Sequence, residues 1–346
     1  MAATVTPASV RLRRSDCSGT GIHRVKHGRG FRYLDHDGES VREDEVLERI
    51  DAMVIPPAWK DVWICPHPGG HIQATGIDAA GRKQYLYHQR WRERRDTEKF
   101  DEMLVFARSL PGLRARVDAD LERGDLSFDH VCATAARLLD RGFFRVGGED
   151  YAVRNETYGL ATMQKKHVRL NEGMLLFDYP AKHGKRRVQA VIDPEVADVV
   201  GRLKRRRGGG DELLAYRRGR TWQDIKSADI NAWLKDATGE DISAKDFRTW
   251  GATVLAAVAL AVSESAPATK TGRTRALTRA VKEVARYLGN TPAVARASYI
   301  DPRVLDRFAD GETIDHALVS AAAERPEEGT AIQGPVEDAV LDLLES

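Results

Sequence analysis

The stretch Met174-Leu-Leu-Phe-Asp-Tyr-Pro-Ala-Lys-His-Gly-Lys-Arg-Arg-Val-Gln-Ala-Val-Ile192 decides the fold class. Met174–Lys182 and Lys185–Ile192 read with the period of two that marks strands. His183-Gly184 between them is a compact turn that favours antiparallel pairing. Tyr158–Leu170 reads as a third strand, joined to the pair through Asn171-Glu-Gly. On either side the apolar spacing becomes helical. Ser127 is placed to cap a helix running to about Arg141, with Val131, Ala135, Leu138 and Leu139 on its inner face. Downstream, Pro194–Arg205, Ser227–Thr238, Ala244–Ser263, Thr271–Leu288 and Pro292–Ser298 read as helices. In the fourth of these, Leu277, Ala280, Val281, Val284 and Leu288 form a buried stripe. A hairpin sheet set among helices is an α+β arrangement.

Upstream, Trp91–Leu110 is charged and helical, and Leu113–Arg123 continues that way. Before residue 90 the pattern differs. Phe31–Asp35, Ala52–Ile55, Val62–Cys65 and His71–Gly76 read as short strands punctuated by Gly, Pro and Asp. The expected organisation is a β-rich N-terminal domain over 1–90, a mainly helical domain over 91–328, and an acidic tail over 329–346 that frays. Lys204-Arg-Arg-Arg-Gly-Gly-Gly210 reads as a flexible, solvated basic loop.

The charge is unevenly spread. From Ala309 onward there are ten acidic residues against the single base Arg325, a balance of −9, so a chain of net +2 carries +11 on residues 1–308. A basic body with an acidic appendage suits a polyanion binder. Three cysteines, Cys17, Cys65 and Cys132, show no metal-binding spacing and fit a reducing compartment. No run approaches the ~20 apolar residues of a membrane span, and Met1–Arg14 lacks a secretory h-region. A cytoplasmic protein with no membrane partner is expected.

A protein that cuts a nucleic-acid strand without metal or water needs particular parts. Guanidinium groups must grip the phosphate oxygens that gain charge in the transition state. A nucleophile must attack in line, and the leaving oxygen needs a proton from a general acid. Tyrosine suits the nucleophile role because its phosphate ester lies near a phosphodiester in energy, so resealing needs no ATP. The sequence has no Walker-type glycine loop and no compact carboxylate cluster for Mg²⁺, so neither cofactor nor metal is expected.

Lys245-Asp-Phe-Arg-Thr-Trp-Gly251, followed by Gly289-Asn-Thr-Pro292 and Ser298-Tyr299, resembles the signature of type IB DNA topoisomerases, especially their short poxviral and bacterial branch. Gly142-Phe-Phe-Arg-Val-Gly147, Asn155-Glu-Thr-Tyr-Gly159, Tyr179-Pro-Ala-Lys-His-Gly184, His71-Ile-Gln-Ala-Thr-Gly76 and Gly81-Arg-Lys-Gln-Tyr-Leu-Tyr-His88 extend the likeness in order, over about residues 30–310. The resemblance implies a catalytic domain of the kind shared with tyrosine recombinases. It implies an enzyme that nicks one DNA strand through a 3′-phosphotyrosyl link, frees a 5′-hydroxyl, relaxes positive and negative supercoils by strand rotation and reseals. It further implies a monomer clamped around duplex DNA.

Carried onto this chain, the resemblance makes Tyr299 the nucleophile and Arg145 and Arg248 the phosphate clamp. Lys182 becomes the general acid, with Lys185 its nearby competitor. Desolvation and neighbouring cations are what make a lysine acidic enough for such work. Asn290 stands where many relatives have histidine; its amide can donate a hydrogen bond but cannot titrate near neutrality. Gln84, Tyr85, Tyr87 and Tyr151 match DNA-contacting positions. Two alternatives share parts of this pattern, a tyrosine recombinase and a DNA-binding relative without activity. Recombinases usually carry HxxR, whereas Lys245 holds the first position here, and their N-terminal domain is helical rather than β-rich.

Overall fold

The computed structural model describes residues 11–171, 173–263, 269–324 and 332–346, apart from the side chains of Asp150, Tyr151 and His183. Glu172 of the expected Asn171-Glu-Gly turn lies outside them. The chain divides into two units, 1–99 and 100–346. In the first, β1 (Ile22–His27), β2 (Gly30–Leu34), β3 (Lys60–Ile64), β4 (Ile72–Ile77) and β5 (Lys83–Tyr87) form an antiparallel sheet ordered β2-β1-β3-β4-β5. A helix between β2 and β3, α1 (Asp44–Ala52), brings Ile50 against Ile22, Val62, Ile64 and Ala74 in a small core. Ala52–Ile55, expected as a strand, instead ends this helix, and the chain turns through Val54 at φ +49°.

Helix α2 (Gln89–Leu121) runs from the first unit into the second and passes through Pro111. Its buried Phe106, Leu110, Leu113 and Val117 keep one face in the core across the proline. The next helix, α3 (Phe128–Gly142), is capped as expected, Ser127 Oγ accepting from His130 N, and is buried along most of its length. After α4 (Glu149–Asn155), the chain expected to extend as a strand from Tyr158 makes two short 3-10 turns, and only Val168–Asn171 forms β6. The backbone N–H groups there are engaged elsewhere. Tyr158 donates to Pro180 O (2.8 Å), Leu160 to Arg145 O (2.8 Å) and Ala161 to Val146 O (2.7 Å). The expected hairpin is present: β7 (Met174–Pro180) pairs antiparallel with both β6 and β8 (Arg186–Ile192).

The remaining chain is mostly helical: α5 (Pro194–Arg205), a small ribbon of β9 (Ala215–Arg218) and β10 (Thr221–Asp224), α6 (Ser227–Thr238), α7 (Ala244–Ala261), α8 (Lys270–Leu288), α9 (Pro292–Ser298), α10 (Pro302–Asp310) and α11 (His316–Ala323). The fold is thus the α+β arrangement anticipated. The basic loop after α5 departs from expectation. Arg206 is 8% exposed, its Nη1 donating to Leu203 O (2.9 Å) and Leu213 O (3.0 Å), so it pins the loop instead of solvating it. No described helix is long and apolar enough to cross a membrane.

The C-terminus also departs from expectation. Instead of fraying, Pro335–Glu345 forms α12, with Val336, Val340 and Leu344 buried. Apolar residues at i, i+4 and i+8 share one helix face, a pattern that outweighs the acidic composition. Charge adds to the docking. Arg114 donates to Asp140 (2.9 and 3.0 Å) and to Glu337 (2.6 and 3.0 Å), and Trp250 Nε1 donates to Glu337 (2.9 Å). Burial works against the Arg114 charge, but Glu337 and Asp140 hold its pKa above the ordinary arginine value. Replacing Glu337 by Ala strips a charged partner from Arg114 and leaves the Trp250 indole N–H unpaired. A loss of about 1.5–3 kcal/mol follows, seen as a Tm lowered by about 2–4 °C per kcal/mol in a chain of this size. An unchanged melting curve would mean that α12 is not held by this network.

Candidate active site

Arg145 leaves the C-terminus of α3 through a short, strongly constrained segment. Phe143 caps the helix at φ +50°, and Phe144 is fully buried against Phe177 (ring centroids 4.8 Å). The following Val146-Gly147 lies flat against Gly159. A Cβ on Gly159 would stand 2.4 Å from Gly147 N, and Gly147 has φ +86°. Only glycine fits so close an approach and so left-handed a backbone. The two glycines therefore fix where the Arg145 side chain starts.

Arg248 projects from α7 and is 3% exposed. Asp246, two residues before it, is occupied at the helix N-terminus, accepting from Ser243 N (2.7 Å) and Ser243 Oγ (3.0 Å). Arg248 accordingly turns to backbone: Nη1 donates to Phe143 O and Nη2 to Leu288 O (3.0 Å), while its buried Nε has no partner. Its guanidinium lies 5.2 Å from the centroid of the Tyr299 ring.

Tyr299 follows α9, whose N-terminus is built as the sequence implied, Thr291 Oγ1 accepting from Val294 N with Pro292 behind it. Its backbone is tied to α7, because Thr253 Oγ1 accepts from Asp301 N (3.1 Å) and lies 3.3 Å from Tyr299 O. One helix thus carries Arg248 and also locates Tyr299. Arg145 donates to Asn290 Oδ1, and the Asn290 Nδ2 is buried without a partner.

These side chains meet. Arg145, Lys182, Arg248 and Tyr299 line one cavity of about 310 Å³, with Gly147, Gly148, Thr157, Tyr158 and Lys245 around them. Lys182 sits in a short 3-10 turn between β7 and β8. Lys185 is exposed and is not among the lining residues; neither is Asn290, whose Oδ1 accepts from Arg145. Thr157 Oγ1, also in the wall, is buried and unpaired. Sequence reading assigned no role to Thr157. Among the described residues no carboxylate forms an ion pair with Arg145 or Arg248.

The electrostatics follow from this crowding of cations. Burial and then the Arg145 charge pull the Arg248 pKa down to about 10, which leaves it protonated at neutral pH. Burial alone would raise the Tyr299 phenol. The Arg248 charge, then the Arg145 charge, outweigh it and leave the phenol below the ordinary tyrosine value. A buried cationic cluster with unspent donors is costly unless an anion arrives to satisfy it.

In the other unit, Tyr85 and Tyr87 share one face of β5, 43% and 39% exposed, with ring centroids 6.1 Å apart. Gln84 does not join them. It points to the opposite face and donates to Asp78 (2.9 Å). The Tyr151 side chain lies outside the described residues.

A cavity that sets a phenol among arginines without a carboxylate partner among the described residues is suited to an anionic ester. The comparisons with known proteins are specific. Residues 88–315 match the model of the eukaryotic DNA topoisomerase I catalytic core, and residues 30–78 match that of the bacterial DNA topoisomerase IB N-terminal domain. DNA topoisomerase 1B of Acanthamoeba polyphaga mimivirus is 31% identical over 298 residues, covering 83% of this chain and 87% of the viral one. DNA topoisomerase 1B of vaccinia virus (strain Copenhagen) and DNA topoisomerase I of monkeypox virus are each 21% identical over 280 residues, 78% of this chain and 83% of theirs. The chain belongs to the type IB DNA topoisomerases, a family of isomerases.

Proposed function

We propose that this chain relaxes supercoiled DNA by transesterification at Tyr299. The Tyr299 phenolate, its proton given up to solvent, attacks a backbone phosphorus in line, the bond to the 5′ oxygen breaks, and a 3′-phosphotyrosyl link holds the nick. Arg145 and Arg248 hold the non-bridging oxygens, Lys182 gives the leaving 5′ oxygen its proton, and Asn290 donates its free amide N–H to the phosphate. The severed strand rotates about the intact one, and the 5′-hydroxyl attacks in reverse. No metal or ATP enters these steps. We further propose that the two units close around the duplex as a monomeric clamp, that Tyr85 and Tyr87 contact DNA, and that Gln84 and Tyr151 contribute at the edge.

The observation that carries this reading is the convergence of Arg145, Lys182, Arg248 and Tyr299 on one cavity without a described counter-charge. The two family matches favour it over a recombinase. Relaxation of a negatively and a positively supercoiled plasmid in EDTA without ATP is the expected result. Recombination between paired sites without relaxation would replace this reading with the recombinase one.

The depressed Tyr299 pKa fixes the sign of the pH dependence. The reactive phenolate grows as pH rises, so cleavage of a suicide substrate climbs with pH and levels off below the range of a free phenol, about pH 10. An inflection at or above that range would show that the neighbouring arginines do not activate the phenol.

A further inference from the structure

A third arginine enters the same cluster from a different element. Arg187, on β8, reaches across to the end of α8. Its Nη2 donates to Tyr287 O (2.5 Å), and its Nε donates to Gln189 Oε1 (2.9 Å), which steadies the side chain along its own strand. The guanidinium also fills the space beside Gly289, where a Cβ would stand 2.7 Å from Nη1. Gly289 has φ +65° and closes α8 immediately before Asn290.

The surroundings of Arg187 are unusual for a structural arginine. Burial is the main influence on it and lowers its pKa; the Tyr179 phenol raises it, and the Arg145 charge lowers it further. Among the described residues no carboxylate pairs with it. Arginine at a helix C-terminus is favourable, since it meets orphan carbonyls and the negative end of the dipole. That gain does not require a site already crowded with guanidinium groups. A surface arginine elsewhere on the helix end would supply it without the repulsion from Arg145.

We propose that Arg187 is a positioning residue that locks the hairpin carrying Lys182 to the turn carrying Asn290. The hairpin and the α8 terminus are far apart in sequence, yet the proposed general acid and amide donor must address one phosphate. Arg187 spans the two elements: one end is rooted on β8, five residues after Lys182, and the other holds the carbonyl three residues before Asn290. Asn290 in turn accepts from Arg145. Through that chain Arg187 sets the clamp geometry without lining the cavity itself. This inference rests on the transesterification reading given above.

The test is single-turnover cleavage of a suicide DNA substrate by Arg187→Ala, Asn290→Ala and the double variant, with duplex affinity measured separately in a Tyr299→Phe background. Expected are a cleavage rate lowered about 10–100-fold in Arg187→Ala, as for other residues that orient a ligating group, and duplex affinity within a few-fold of the parent. The double variant should be little slower than the slower single one, since the two side chains act as a unit. Arg187→Lys keeps charge and stem but loses the fork, and should recover only part of the rate while melting like the parent. That variant keeps the question open to an answer even if Arg187→Ala folds poorly. Wild-type cleavage by Arg187→Lys and Arg187→Ala, or fully multiplicative losses in the double variant, would overturn the inference. Adduct formation by Tyr299→Phe would instead overturn the underlying reading, so the two failures are distinct.

Discussion

Tyr299→Phe is expected to form no covalent adduct with DNA while its salt-dependent binding to duplex stays close to that of the parent. The substitution removes one oxygen and keeps the ring, which lies under the Arg248 guanidinium at 5.2 Å. Packing against the core is retained, as are the backbone ties of residues 299–301 to Thr253. In the proposed mechanism binding rests on phosphate contacts spread over a body of charge +11, which makes it salt-dependent, and chemistry rests on one phenolic oxygen. Among the described residues the other tyrosine lining the cavity is Tyr158, which lies on the segment paired with Arg145 and has its ring tilted against His167 (centroids 4.4 Å). Adduct at the parental level in Tyr299→Phe would assign the attack to another group.

Arg248→Ala is expected to cleave about 10²–10³ times more slowly, the cost of losing one preorganised donor to a developing oxyanion. Two effects add. The phosphate loses the guanidinium whose Nε is buried and unspent, and the Tyr299 phenol loses the charge that chiefly depresses its pKa. The deficit should therefore shrink as pH rises, because hydroxide restores the phenolate but not the clamp. Arg248→Lys recovers little, since a single ammonium cannot serve Phe143 O, Leu288 O and a phosphate together. A cleavage rate within a few-fold of the parent in Arg248→Ala, with an unaltered pH profile, would remove Arg248 from the site.

Much of this site was legible in the sequence, for physical reasons that differ from residue to residue. Thr291-Pro292 announces a helix start, and a helix from there ends at Tyr299. Arg248 stands at the head of a strongly apolar helix where Asp246 has the wrong phase to pair with it, so a buried arginine facing a cavity was deducible. The hairpin around Lys182 follows from alternation and a His-Gly turn. Arg187 was not deducible. Its significance comes from Tyr287 and Gly289, 100 residues away, and no local pattern signals a contact across that separation.

The fold shows the same division. Elements set by periodicity, such as α3 and α6–α9, appear within a residue or two of expectation. Elements set by tertiary partners do not. Tyr158–His167 alternates like a strand, but Arg145, Val146 and Pro180 take up its hydrogen bonds first. The C-terminal segment is acidic enough to suggest fraying, yet Arg114 and Trp250 are waiting for Glu337. The strand β1 escaped notice because His23, Arg24, Lys26 and His27 make its sequence polar on both faces. Composition describes a segment's average, whereas docking depends on which two or three side chains find partners.

The most direct measurement is mass spectrometry of the adduct trapped on a suicide duplex that loses its 5′ fragment after nicking. A tryptic peptide with Tyr299 bearing a 3′-linked nucleotide, recovered from metal-free and ATP-free buffer, is the expected result. The nucleotide on any other residue, or linked through its 5′ phosphate, would contradict transesterification by Tyr299 at the arginine cluster.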